Sequence, residues 1–382
     1  MTPTENWWIG ALTPRADDAR TIDLGPQHPS RAGLVGLALD IDDGVIASAK
    51  IQPGYLHRAA EKLFEVRDYR QVLMLADRHD WQAPFSGELV AALACEQLLG
   101  LAAPPRAVWL RTLLAELARI TSHLSFLTWV PFAAGDAALA SSIRATRDAG
   151  RELMLELSGN RLHPMLNRLG GLAADASPEW LHQAATLADR AAALEIGETL
   201  VSLALAEGLG RITREQVHQF GISGPAARAT GLDWDLRRRP GYLAYGELGM
   251  SEQYGGQDAA NPPNSGDANA RFSELVCNIS HSATLVRRVV ERLDHVDGPV
   301  ATKLTRIIKL PDAETWLGIE APLGVAAIHV VSRGGTTPWR FKLRTPTFAQ
   351  VNVLQQALVG VPTEKAPAVI ASFGYTIGDL DK

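Results

Sequence analysis

Apolar residues at 110, 113, 114, 117, 120, 124 and 127 recur at three- and four-residue steps. That spacing predicts a long helix over Arg106–Val130, opened by Pro104-Pro105. The same reading gives helices over Ala59–Val66, Gly87–Leu99, Asp136–Ser158, Pro178–Ala206, Gly266–Leu293 and Val351–Val359. Strands are predicted where short apolar or alternating runs flank turn residues. Leu34–Ile41 and Val45–Ile51 form a hairpin about Asp42-Asp43-Gly44, and Glu314–Ala321 pairs with Gly324–Ser332 across Pro322-Leu323. Trp339–Arg344 alternates and adds a third strand to the second group.

Between these elements lie loops. Leu24–Gly33 is turn-rich, with His28 held between Pro26 and Pro29. Leu162–Gly171 carries His163 beside a proline, Gly208–Tyr242 reads as short helices and tight turns, and Tyr245–Gly266 reads as an exposed loop. Residues 1–22 read as an extended, poorly ordered arm despite Trp7 and Trp8. The domain expectation is that arm followed by one domain over 23–382: an N-terminal sheet over 23–55, a helical core over 56–300 and a C-terminal α+β part over 301–382. The fold class is therefore α+β, dominated by a central bundle of long helices with small antiparallel sheets at either side.

Composition narrows the function. A chain of 382 residues with 46% hydrophobic and 21% charged residues can bury a large core. Its net charge of −5 argues against nucleic acid as a partner. Two cysteines, Cys95 and Cys277, cannot build a disulfide framework or a cysteine-only metal site. No basic-then-apolar leader opens the chain, and Leu89–Leu101 and Phe126–Ala140 are each interrupted before reaching the ~20 apolar residues of a membrane span. Walker, HExxH and GxSxG patterns are absent, and the Gly-x-Gly at 208–210 follows a helix instead of a strand.

The chemistry concentrates in Gly54–Trp81, GYLHRAAEKLFEVRDYRQVLMLADRHDW. Its charges gather at the two ends around apolar Val72–Ala76, and helical pairs such as Arg58–Lys62 and Glu61–Glu65 are like-charged. Charges set beside a core must be paired or serve a site, whereas an ordinary solvated helix remains the competing reading. The three arginines at 144, 147 and 151 read as a solvated helix face.

Long segments of the chain resemble one family. GPQHPSRAG, PGYLHRAAEK, ADRHDW, LAELARITSHL, ITREQVHQFGISGPAARATGLDWDLR, IEAPLGVAAIHVVSRGGTTPWRFKLRTPTF and IGDLDK, in order from Leu24 to Lys382, look like the D subunits of the NADH-quinone oxidoreductases, the large peripheral-arm subunits of respiratory complex I. The resemblance implies a fold like the large subunit of [NiFe] hydrogenases whose metal cavity has become the head of a quinone tunnel. It implies quinone as substrate, a [4Fe–4S] cluster in a small partner subunit, and NAD and FMN elsewhere in the complex, with no cofactor bound by this chain alone. It also implies other peripheral-arm subunits, a membrane subunit as neighbour, coupling to proton translocation, and a peripheral place on the cytoplasmic side of the cell membrane.

Residue by residue, Arg58 of the HR-x-x-EK element and Arg78 of DR-x-D match arginines that face the cluster. His163 matches a histidine whose protonation follows cluster reduction, and Asp80 matches a carboxylate beside the quinone. His28 is the retained imidazole of the proline-rich loop. Three positions depart from the pattern: the family's second loop histidine is Ala32, its quinone-binding tyrosine is Trp81, and the aspartate that pairs with the histidine is Ala133. Alanine cannot hydrogen-bond through its side chain, and an indole keeps its proton. Three functions follow as expectations: quinone reduction with altered donors, a complex I-like assembly with another donor or acceptor, or a structural subunit without quinone chemistry.

Overall fold

The computed structural model describes residues 4–10, 20–239, 241–250 and 264–382. The chain opens on a four-stranded sheet of β1 (Thr4–Gly10), β2 (Arg20–Ile22), β3 (Leu34–Asp42) and β4 (Val45–Gln52), in the order β2-β1-β3-β4. The arm is thus not loose over residues 4–10. It pairs antiparallel along β3, Trp7 opposite Leu37 and Ile9 opposite Val35, because Ile9 closes the same apolar face as Val35, Leu37 and Leu39. Trp7 packs under Arg20 and Trp8 against Tyr55, so both indoles tuck onto this chain. Asp43 and Gly44 both take positive φ, which closes the β3–β4 hairpin.

Next come α1 (Ala60–Phe64), α2 (Tyr69–Ala76), α3 (Pro84–Leu99), α4 (Pro105–Leu127), α5 (Trp129–Ala134) and α6 (Ala137–Ser158). The helix expected to run to Val130 stops at Leu127. Pro131 lacks the N–H that would bond back to residue 127 and its ring crowds that carbonyl. A two-strand hairpin follows, β5 (Asn167–Arg168) and β6 (Gly171–Leu172). The single helix expected over Pro178–Ala206 is α7 (Pro178–Ala192) and α8 (Ile196–Ser202), the chain turning at 193–195 to bury Ile196 and Leu200. No Gly or Pro marks that break. Two short helices, α9 (Arg214–Phe220) and α10 (Gly224–Arg228), precede α11 (Ala268–Leu293), which packs along α4 and α7 at the centre of the core.

Of the segment expected as an exposed loop, Tyr245–Leu248 is a buried 3₁₀ turn, and residues 251–263 lie outside the described residues. The C-terminal part is β7 (Asp312–Ala321), β8 (Gly324–Arg333) and β9 (Arg340–Arg344), in that order and antiparallel, then α12 (Pro346–Ala357), α13 (Ala366–Phe373) and α14 (Ile377–Leu380). Helices α12 and α14 pack together, and α3 lies on the β7–β8 face. The last residues therefore return to the N-terminal third of the chain. This is an α+β fold built on a helical centre.

Candidate functional site

The site begins at α2. Asp68 caps it, accepting from the backbone N–H of Arg70 and Gln71 at 2.9 Å, while Gln71 accepts from the Asp68 N–H. The helix buries Tyr69, Val72, Leu73 and Ala76, which fixes where the next turn, Asp77–Trp81, emerges. Gly87 of α3 sets the depth of that contact: a Cβ there would lie 2.1 Å from the Ala76 carbonyl oxygen. Gly378 does the same at the C-terminal side, where a Cβ would meet the Trp81 ring at 2.3 Å and the His79 carbonyl oxygen at 2.5 Å.

A third segment, 54–58, is held by a carboxylate. Asp381 accepts from the Gly54 N–H at 2.7 Å and the Leu56 N–H at 2.8 Å, and His57 Nδ1 donates to the Lys382 carbonyl at 2.8 Å. The like-charged Glu61 and Glu65 are reconciled by tertiary contact, since Arg340 of β9 bridges both.

These segments enclose a cavity of about 410 Å³ whose walls include Arg58, Arg78, Trp81, His163, Asp381 and Lys382. Four of the sequence-selected residues thus share one hollow. Its walls are basic: Arg58 forms no hydrogen bond or ion pair among the described residues, and Asp381 spends its oxygens on backbone amides. His163 is positioned by Asn160, whose side chain accepts from the N–H of residues 162 and 163 at 3.0 Å. Its Nδ1 lies 3.2 Å from the Asp77 carbonyl oxygen and 3.5 Å from Asp77 Oδ1. Arg78 Nη1 sits 3.3 Å from the same carboxylate oxygen. Burial, then Arg78, lower the His163 pKa from its ordinary value. His79, buried against Phe64, is lowered to about 4 by burial and then by Arg58.

Asp80 lies just behind this wall. Its Oδ1 accepts from Thr376 Oγ1 at 2.9 Å and the Gln82 N–H at 3.0 Å, and burial raises its pKa. Asp379, on the same C-terminal turn, is pushed up to about 7 by burial and by Asp80. Trp81 fills the space against Gly378 and also borders a smaller apolar hollow with Phe85, Leu117 and Leu187. Its indole N–H is buried without a hydrogen-bond partner.

His28 stands apart from the cavity. It is buried, caps the 29–32 turn, pairs Nδ1 with Ser30 Oγ at 2.6 Å, and packs edge-on to Phe126. Burial drives its pKa down to about 3, so it is neutral near pH 7. Ala32 and Ala133 are both exposed. The two loops that carry them adjoin, since a Cβ on Gly25 would meet the Phe132 ring at 2.9 Å. Arg147, expected on a solvated face, is instead buried and donates to Gln27 of that loop at 3.0 Å. Among the described residues no group of His, Cys, Asp and Glu is placed to hold a metal ion.

Sequence reasoning missed a buried ionic network. Glu116 accepts from Tyr245 at 2.5 Å and Ser282 at 2.6 Å, and lies 3.2 Å from Arg237 and 3.3 Å from Arg119. Asp235 pairs with Arg237 at 2.6 Å, and Arg228 reaches Glu320 at 2.8 Å. Glu116 must overcome complete burial, yet Arg119 and Arg237 hold its pKa down to about 2. A signal existed: Glu116, Arg119 and His123 fall at helical spacing on the long helix whose recurring apolar positions place it in the core.

Comparison with known proteins fits this architecture. The family model described as "Respiratory-chain NADH dehydrogenase, 49 Kd subunit" matches residues 134–308 and 302–382. The first of the NADH-quinone oxidoreductase D subunits of Streptomyces coelicolor is 39% identical over 391 residues, covering 100% of both chains. The corresponding D subunit of Geobacillus thermodenitrificans is 32% identical, covering 94% of this chain and 98% of its own. Among solved structures, a chain of the membrane-bound sulfane sulfur reductase, an archaeal respiratory membrane complex, aligns with a TM-score of 0.80 at 27% identity, over 91% of this chain and 94% of that one. The chain belongs to the family of NADH-quinone oxidoreductase D subunits, the 49 kDa subunits of the respiratory-chain NADH dehydrogenases.

Proposed function

We propose that this chain is the peripheral-arm subunit of a complex I-like NADH-quinone oxidoreductase, and that its basic cavity adjoins the [4Fe–4S] cluster of a small partner subunit where quinone is reduced. The observation that carries the reading is the convergence of Arg58, Arg78, His163 and Trp81 on one hollow of about 410 Å³. A cluster supplies one electron at a time and gains negative charge when reduced. Fixed guanidinium groups facing it stabilise that charge and raise its potential. His163 is uncharged at neutral pH and gains a proton more readily when a negative charge appears beside it. The unpartnered Trp81 N–H supports quinone binding, because a ligand carbonyl reaching it would satisfy a buried donor. His28 is neutral near pH 7 and does not line this cavity, so in this reading protons for quinone come from other groups of the cavity or from water.

In this reading the membrane subunit, the flavin and the NADH site belong to partners, and coupling to proton translocation takes place in the assembly. None of the described helices is long and apolar enough to cross a membrane, which suits a peripheral subunit. A second reading, an assembly with another electron donor or acceptor, is favoured by Ala32, Trp81 and Ala133 together and by the likeness to a sulfane sulfur reductase chain. The deciding experiment is to purify the native assembly and follow quinone reduction while monitoring the cluster by EPR. Reduced quinone supports the first reading. An intact, reducible cluster that passes no electrons to quinone overturns it in favour of the second.

A further inference from the structure

A second hollow, of about 250 Å³, is used by none of this. It adjoins the first, since Met165 of its wall accepts through Sδ from Arg78 Nη2 at 3.7 Å. Helix α2, the turn into β5 and the segment from Ala301 to Leu304 build it. Its floor is polar. Asn167 is 1% exposed and stands beside Glu88 of α3, yet neither its amide nitrogen nor its side-chain oxygen makes a hydrogen bond. Glu88, also buried, accepts from the Leu166 N–H at 3.2 Å. The walls are apolar, with Leu73, Leu169 and Leu304 inside and Met74 at the mouth, 43% exposed.

The rim is basic. Arg70 donates to the carbonyls of Thr305 and Arg306, and Arg168 to those of Met165 and Asn167, so both guanidinium groups are fixed by backbone and neither forms an ion pair among the described residues. Lys303 and Arg306 are exposed on the same segment, while the nearby Asp68 is committed to capping α2. On a chain of net charge −5, such a local excess of cations selects an acidic partner. Exposed apolar side chains flank the mouth, Val66 before α2 and Ile307 beyond Arg306, as at protein interfaces. The volume falls below the roughly 300–1,000 Å³ of small-molecule pockets and suits a single anchoring side chain. A carboxamide offers a donor and an acceptor side by side, the pattern that the N–H and C=O of a peptide backbone match.

We propose that this hollow is a docking socket for an extended, acidic segment of a partner subunit. One apolar side chain of that segment seats between Leu73, Leu169 and Leu304, its backbone bonds the Asn167 carboxamide, and flanking Asp or Glu side chains meet Arg70 and Arg168. The buried amide then finds in the assembly the partners it lacks in the chain alone. The socket goes beyond the functional reading above, since it needs a partner chain and no quinone or cluster chemistry.

The test places the photo-reactive residue benzoylphenylalanine at position 74, at the exposed mouth, in the native assembly. Expected on illumination is a covalent product with one partner subunit, mapped by mass spectrometry to a stretch with Asp or Glu within three residues of the joined site. No protein product, a lipid or small-molecule adduct, or a joined site flanked by Lys and Arg overturns the proposal. Asn167→Ala gives the second measurement. Removing an amide that is already unpaired should leave the denaturant midpoint of the isolated full-length chain unchanged or raise it. The assembly that contains the variant should nonetheless dissociate about tenfold faster. A lowered midpoint of the isolated chain shows that Asn167 serves the fold, and unchanged dissociation shows that it meets no partner; either result overturns the socket. An assembly that cross-links as expected and reduces no quinone fails the functional reading alone, and the converse result fails the socket alone.

Discussion

Removing the Asp381 carboxylate should release the segment that presents Arg58. Asp381 is 5% exposed and accepts two backbone N–H bonds, from Gly54 at 2.7 Å and Leu56 at 2.8 Å. Hydrogen bonds to an ionised acceptor are worth roughly 1.5–3 kcal/mol each when well made. Gly54 is exposed and Leu56 half-buried, so water recovers much of what their amides lose in Asp381→Ala. The side chain's own desolvation cost also disappears. A net loss of about 2 kcal/mol in the local closing free energy follows, which is roughly a thirty-fold rise in opening. Hydrogen–deuterium exchange read by mass spectrometry on peptides spanning residues 52–60 measures it directly. Exchange should accelerate there by about that factor while α4 and α11 stay unchanged. On the proposed function, the partner cluster's potential should also fall, by less than removal of the Arg58 side chain would lower it, because Arg58 is loosened and not removed. Unchanged exchange at residues 54–56 would refute the reasoning and leave the His57 imidazole's bond to the Lys382 carbonyl as the element that holds the loop.

Two further outcomes follow from the buried charges. Glu116→Ala removes the carboxylate that Arg119 and Arg237 share, leaving Arg237 to Asp235 and Arg119 to backbone carbonyls, and leaves Tyr245 and Ser282 without their acceptor, so it should cost about 3–5 kcal/mol, read as a lower denaturant midpoint or failure to assemble. The pH dependence of stability should have two limbs of opposite origin. His28 and His79 are held neutral, lowered to about 3 and about 4, so the stability they contribute is present above their ordinary 6.5 and is lost as pH falls toward those values. Asp77 and Glu88 are raised, so their contribution is full below their ordinary values near 4 and is lost as pH rises through about 7 and about 8. Unfolding midpoints across pH should show Glu88→Gln flattening the alkaline limb only; equal flattening of both limbs would contradict the assignment.

The sequence carried the α+β class and most helices because their apolar periods are long and unbroken. It failed where tertiary packing alone decides. Residues 4–10 look like a loose arm until β3 is present to pair with them, since Trp7, Trp8 and Ile9 give too short a run to read as a strand. The break between α7 and α8 has no Gly or Pro and comes from burying Ile196 and Leu200. Glu88 escaped for a different reason. It sits in a helix where an acid reads as a surface residue, and packing of the Ala76–Asp77 backbone against Gly87 accompanies its burial. Of the residues selected through the family pattern, Arg58, Arg78, Trp81 and His163 converge, Asp80 lies directly behind them, and His28 does not join them.

The pattern of substitution has a physical logic of its own. A histidine and an aspartate facing each other across the loop at residue 32 and the helix end at residue 133 would need each other, because a lone charge there lacks its counter-ion. Both positions are alanine, and both are exposed, so neither leaves a buried group unsatisfied. Trp81 is different, since its larger ring occupies the space over Gly378 and carries an N–H with no partner. A protein that had given up all ligand chemistry at this point would bear the cost of a buried unpaired donor, about 1–3 kcal/mol, for no return. The wall beside it carries Arg58 and Arg78, and Arg58 forms no ion pair among the described residues, since Asp381 of the same wall binds backbone amides. The hollow thus keeps two fixed guanidinium groups, while Trp81 offers a group that donates a hydrogen bond and keeps its proton.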